Sequence, residues 1–168
     1  LSHALSNPPA STEHVVVADL LSESERWTLV STHATHKPHT GVLTPWVAYE
    51  VDGGDKPSLI MPPPCEASFK ILPADGPVRL RLAAGVDQSV DSALSESTPQ
   101  ATFGFEVLVN GELIYDTAIE ITRGAREGPK RAWRAPESEL ALTPGQTITL
   151  RTRVLAGAGV EDAGGIVG

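Results

Sequence analysis

The dipeptide Asn110-Gly111 stands between two runs in which apolar side chains recur at every second position. In ATFGFEVLV, Phe103, Phe105, Val107 and Val109 share a face; in ELIYDTAI, Leu113, Tyr115, Thr117 and Ile119 do. A period of two is the repeat of a β-strand. A two-residue type I′ turn needs positive φ at both central residues, which Asn-Gly adopts most readily. The segment is therefore predicted to be a β-hairpin. A hairpin cannot bury its apolar face alone, so the rest of the chain must supply further strands.

The same alternation recurs elsewhere. In PVRLRLAAGV, Val78, Leu80, Leu82 and Ala84 point one way and Arg79 and Arg81 the other. After the turn Thr143-Pro144-Gly145-Gln146, TITLRTRVLA places Ile148, Leu150, Thr152 and Val154 on one face. Earlier candidate strands are His14–Leu20, Trp27–His33, Val42–Val51, Ser58–Met61 and Ala67–Leu72. Pro62-Pro63-Pro64 cannot donate to a ladder and must cross between strands or sheets. The stretches 87–100 and 120–136 read as long polar connections, and Ser22–Arg26 as at most one helical turn. Eight or nine short strands with turn signals between them predict an all-β, antiparallel sandwich. The long connections favour jelly-roll or Greek-key wiring over a meander. Arginines on the outward side of two strands suit a sheet with one solvated face.

At 168 residues the chain has room for one core. Residues 1–13, rich in Ser, Pro and Asn, are expected to form a flexible tether, and 14–168 a single sandwich domain. The chain opens on Leu1 rather than Met, which reads as a processed product or fragment, and no signal peptide pattern is present. No run approaches the roughly 18 apolar residues of a membrane-spanning helix. Thirteen Lys and Arg against 21 Asp and Glu give a net charge of −8. That balance excludes a general nucleic-acid binder and disfavours direct contact with anionic lipid. The single cysteine, Cys65, excludes an internal disulfide and a four-cysteine zinc site.

From about Asp52 onward the layout has a recognisable order. SLIMPPPCEASFKI is followed by VRLRLAAGV and a polar loop, then by FEVLVNGELIYD, WRAPESELAL and PGQTITLR. This pattern resembles the jelly-roll accessory domains found beside bacterial sulfatase-like and glycoside-processing enzymes, relatives of the carbohydrate-binding-module sandwiches. The resemblance rests on strand order and implies a fold together with a contact role, either glycan binding or docking. It also implies a last strand after the Gly-rich GAGVEDAGGIVG, where this chain has only Ile166-Val167. A missing strand leaves a sheet edge open or filled by another chain.

Several residue clusters invite a chemical reading. Arg123, Arg126, Lys130, Arg131 and Arg134 concentrate positive charge in one connection of an acidic protein. A solvated loop is the default for them, and docking on an acidic partner, an acidic glycan or lipid phosphates is the functional reading. Among the aromatics, Trp27, Trp46, Tyr49, Tyr115 and Trp133, core packing is preferred. If a sugar-stacking platform exists, Trp46 with Tyr49 is the choice. His33, His36 and His39 are weak metal candidates, because no helix aligns them and no carboxylate within the run orients an imidazole. Asp52, Asp55, Asp87, Asp91 and Asp162 lie in or beside turns, where structural calcium is a minor alternative to ordinary turn chemistry. No nucleophile elbow, phosphate-binding loop or dinucleotide fingerprint occurs. Cys65 reads as a small apolar filler.

The expectation is a non-catalytic module, periplasmic or extracellular, that docks as a structural subunit onto a larger protein assembly without a cofactor. Any membrane association would come through that partner or a missing N-terminal anchor. A glycan-binding module that targets a neighbouring enzyme is the alternative.

Overall fold

The computed structural model describes residues 28–32, 39–43, 56–71, 76–87, 90–124 and 133–157. Nine strands and one short helix occupy them. The strands are β1 (Thr28–Thr32), β2 (His39–Leu43), β3 (Lys56–Ile60), β4 (Cys65–Lys70), β5 (Val78–Leu80), β6 (Gln100–Val109), β7 (Glu112–Thr122), β8 (Leu140–Leu142) and β9 (Thr147–Ala156); α1 is Val90–Ala93. The predicted all-β antiparallel sandwich is what forms. A five-stranded sheet has the order β1-β4-β9-β6-β7, and two-stranded sheets pair β2 with β3 and β5 with β8. Every pairing is antiparallel. The β5–β8 ribbon continues into a bridge between Ala84 and Arg134.

The chain changes sheet repeatedly, as jelly-roll or Greek-key wiring requires. From β3 it crosses to β4 through Pro62, Pro63 and Pro64, leaves for β5, returns for the β6–β7 hairpin, leaves for β8 and returns as β9. β9 thus inserts between β4 and β6, far from both in sequence.

Alternation decides which side chains enter the core. Phe103, Phe105, Val107 and Val109 of β6, Ile148 and Leu150 of β9, and Cys65 and Ala67 of β4 are buried on one face of the large sheet. Leu59, Met61, Leu80, Ala84, Val86 and Leu142 close over them from the other side. Thr152 is the polar member of this face, and its hydroxyl donates to the carbonyl of Met61 at 3.1 Å. Its burial therefore leaves no unmatched group.

Three expectations need correction. The polar connection expected over 120–136 starts later, because residues 120–122 complete β7 and Ile121 is buried in the core. The connection 87–100 contains α1, because Val90 and Leu94, one turn apart, plug the end of the core. Two apolar residues are too few to show a helical period in sequence. Leu113 does not share the face of Tyr115, Thr117 and Ile119. The β6–β7 register runs Val109↔Glu112 and Leu108↔Leu113, then jumps to Val107↔Tyr115. Leu113, opposite Leu108, lies on the outer face, where it is 51% exposed. Ile114 is the extra residue of a β-bulge, which brings Tyr115 to the core face instead.

The Asn110-Gly111 turn forms as predicted, with φ of 51° and 84°. It is also tied to β9: the Asn110 amide donates to the Thr147 carbonyl, and the Thr147 amide donates to Asn110 Oδ1, each at 2.9 Å. Gly157 has a different reason to be glycine. Its φ is +89°, and an added Cβ would lie 2.5 Å from the Gln100 carbonyl oxygen. Gly104 contrasts with it, because an added Cβ would meet only the Leu155 side chain, at 3.1 Å. Leu155 is 57% exposed and can rotate away. Chemical denaturation should therefore show Gly157→Ala costing about 1–3 kcal/mol. Gly104→Ala should stay within about 0.5 kcal/mol of the parent.

Candidate interaction surface

The outer face of the five-stranded sheet carries the side chains that alternate with the core set. Pairing registers line up Glu66 of β4, Arg151 of β9, Glu106 of β6 and Asp116 of β7 in one row across four strands. Arg151 is held from both sides. Its Nε donates to Glu66 Oε2 at 2.8 Å and its Nη1 to Glu106 Oε2 at 2.9 Å. Arg153, on the same face, approaches Glu106 Oε2 at 3.4 Å. The neighbouring row contains a hydroxyl pair, Ser68 Oγ and Thr149 Oγ1, at 2.7 Å. The hydrogen bond to Glu66 raises the Arg151 pKa above its ordinary value; burial opposes this, and Glu106 reinforces it. The guanidinium is thus a permanent cation fixed between two strands that only the fold brings together.

A shallow open cleft of ≈ 190 Å³ adjoins this row, lined by Pro64, Cys65, Glu66, Arg151, Thr152 and Arg153. Exposed Leu155 lies near one end of the outer face, and exposed Leu113 and Ile114 lie at the start of β7. Sequence inspection missed the Glu66–Arg151–Glu106 row. Alternation marked Arg151 and Arg153 as outward, but nothing local says that β9 enters between β4 and β6.

Of the basic connection, Arg123 and Arg134 are described, and they sit on different elements. Arg123 follows β7; its amide donates to the Pro99 carbonyl at 2.8 Å and its guanidinium stands 3.9 Å from the exposed Glu96 carboxylate. Arg134 is half-buried and its backbone exchanges hydrogen bonds of 2.7 and 2.8 Å with Ala84 in the second layer. Arg126, Lys130 and Arg131 lie outside the described residues, as do Trp27, Trp46, Tyr49, His33 and His36. His39 is placed by its backbone on β2, opposite Ile60. Among the described residues no group of three or more His, Cys, Asp or Glu is arranged to hold a metal ion. Cys65 is buried in the core cluster, and Trp133 is half-buried.

Tyr115 stands at the rim of the core, edge-on to Phe105 with ring centroids 6.5 Å apart. Burial raises its pKa above 10.0, Asp116 acts the same way, and a hydrogen bond with Thr117 and the charge of Arg134 oppose them.

These features define an antiparallel β-sandwich whose large sheet turns a charged, internally paired face outward. No protein-family model matches the sequence, and no curated protein matches it. Solved structures do match the fold. One is CBM51-2 in complex with GlcNAc, with INT domains, from Clostridium perfringens ZmpB, at a TM-score of 0.54 and 13% identity over 82% of this chain and 28% of that one. A second structure of CBM51-2 and INT domains from the same protein gives 0.54 and 12%, over 83% and 30%. The likeness is one of fold, and the chain spans less than a third of the length of those solved chains.

Removal of Arg151 leaves Glu66 and Glu106 facing one another across β9. Urea denaturation should show Arg151→Ala costing about 1–3 kcal/mol, with Glu106→Gln recovering part of the loss in the same background. Tyr115 gives a pH signature. Its raised pKa means that above about pH 10 the unfolded chain loses this proton before the folded one does. Its contribution to stability is complete below that pH and falls as pH rises through the folded pKa. Thermal melts between pH 9 and 11 should fall less steeply for Tyr115→Phe than for the parent.

Proposed function

We propose that the chain is a non-catalytic, extracytoplasmic interaction module that docks as a structural subunit onto a larger protein assembly. The observation that carries this reading is the outer face of the large sheet. Its central charges satisfy one another and hold the surface in a fixed shape, while Leu113, Ile114 and Leu155 stand exposed beside them. A pre-ordered surface with exposed apolar side chains loses little conformational entropy on contact, which suits docking. The basic connection with Arg123, Arg126, Lys130, Arg131 and Arg134 offers a second contact of opposite sign to the protein as a whole.

A glycan-binding role is the second reading. It draws support from the fold shared with the ZmpB structures, one of which is a complex of CBM51-2 with GlcNAc. In that reading Trp46 and Tyr49 form the stacking platform and the module targets a neighbouring enzyme.

Native purification with mass spectrometry of whatever stays bound separates the two. Docking requires the chain to travel at fixed stoichiometry with other proteins. A chain that runs alone and binds a glycan array, with binding lost in Trp46→Ala, would replace the docking reading with the second one.

A further inference from the structure

The charge row on the outer face is incomplete at one end. Across β4, β9, β6 and β7 its signs run Glu66 negative, Arg151 positive, Glu106 negative, Asp116 negative. Two carboxylates directly opposite one another destabilise a strand pair. Glu106 is compensated by Arg151 and Arg153, but no ion pair reaches Asp116 among the described residues. The alternation that places Arg151 between two glutamates would place the next cation beyond Asp116, in a strand that would pair with β7.

Among the described residues that position is an edge: β7 is the outermost strand of the sheet and only β6 pairs with it. It is 11 residues long, regular after the Ile114 bulge, and contains neither Pro nor Lys. Short length, Pro and Lys are among the usual protections of an edge strand, and a bulge or charged side chains are others. Here the bulge is confined to the start of the strand and the charges are of one sign. Its charged side chains, Glu112, Asp116 and Glu120, are all acidic and exposed. Antiparallel pairing with β7 of a second copy would join two acidic strands, so a second copy is disfavoured. On the core side, Thr117, Ile119 and Ile121 would lie beside every second residue of an added strand.

We infer that the β7 edge accepts an extended segment of a partner protein as a sixth strand, one in which lysine or arginine alternates with apolar residues. The cations would meet Asp116 on the outer face and the apolar side chains would extend the core face past Ile119 and Ile121. Main-chain hydrogen bonds would supply affinity and the alternating pattern the register. This rests on the docking reading above and names the chemistry of the partner.

The test uses the full chain and a ten-residue peptide alternating lysine with valine and threonine, with a second peptide carrying glutamate for lysine. The lysine peptide should slow amide exchange along 116–122, and the glutamate peptide should bind at least tenfold more weakly. Asp116→Lys should lower affinity for the lysine peptide at least tenfold while raising the melting temperature by about 1–3 °C, because it relieves Glu106. Glu137→Lys, the same charge change at an exposed site outside the sheet, should lower affinity less than twofold.

Equal losses from the two variants would reduce the binding to general attraction and overturn the assignment. So would protection of the free edge of β7 before peptide is added, or self-association through β7. If the native complex retains its partner in the Asp116→Lys chain, the β7 assignment alone falls. If native purification yields no partner, the docking reading falls with it.

Discussion

One extra residue, Ile114, decides which face every later side chain of β7 takes. Without it, the register set at the turn by Val109↔Glu112 would continue unbroken. Asp116 and Ala118 would then point into the core, while Tyr115, Ile119 and Ile121 faced outward. Asp116 would take the place of Thr117 opposite Phe105, and Ala118 that of Ile119 opposite Phe103. A carboxylate turned toward the core without a partner, and the loss of Ile119 from it, cost more than one irregular pair in a ladder. The bulge therefore settles the core packing of β7 and, by the same shift, brings Asp116 opposite Glu106.

The placement of β9 is the second constraint. A strand inserted between β4 and β6 must satisfy both neighbours on both faces. On the inner face this is done by size and apolarity: Ile148 lies between Phe69 and Val109, and Leu150 between Ala67 and Val107. On the outer face it is done by charge, with Arg151 between Glu66 and Glu106. The two faces are unequal in energy. Burial of several large side chains outweighs a partly solvated ion pair, whose gain is offset by desolvation and side-chain ordering. Arg151 also bears on register: a two-residue slip that set Thr149 between Glu66 and Glu106 would keep hydrophobic residues inside but leave both carboxylates without their cation.

Much of this architecture was legible because alternation is a local signal. The faces of β6 and β9, the Asn110-Gly111 turn and the proline crossing could be read from neighbours in sequence. The bulge was legible too, had the two halves of the hairpin been compared. A two-residue turn pairs Val109 with Glu112, so an inward face of Val109, Val107 and Phe105 requires Glu112, Ile114 and Asp116 inward on β7. The apolar set there is Tyr115, Thr117, Ile119 instead, and that parity mismatch demands one inserted residue. The Glu66–Arg151–Glu106 row was not legible. Glu66 and Arg151 are 85 residues apart, and the sheet order that joins them follows from tertiary packing. α1 was not legible because two buried apolar residues, Val90 and Leu94, are too few to show a helical period.

The outer face also bears on how an acidic sandwich retains a specific surface. A net charge of −8 repels non-specific association but by itself selects no partner. Selection comes from where charge is left uncompensated. In the middle of the large sheet, carboxylates and guanidinium groups neutralise each other and offer a partner a fixed shape but no uncompensated charge. At the β7 end the balance is broken in one direction, and main-chain groups of an edge strand lie beside the excess. A strand of matching charge can add there without breaking any contact of the row, whereas an acidic strand would add repulsion to both Asp116 and Glu106. The same two carboxylates that cost the isolated chain some stability therefore set the sign of what the edge accepts.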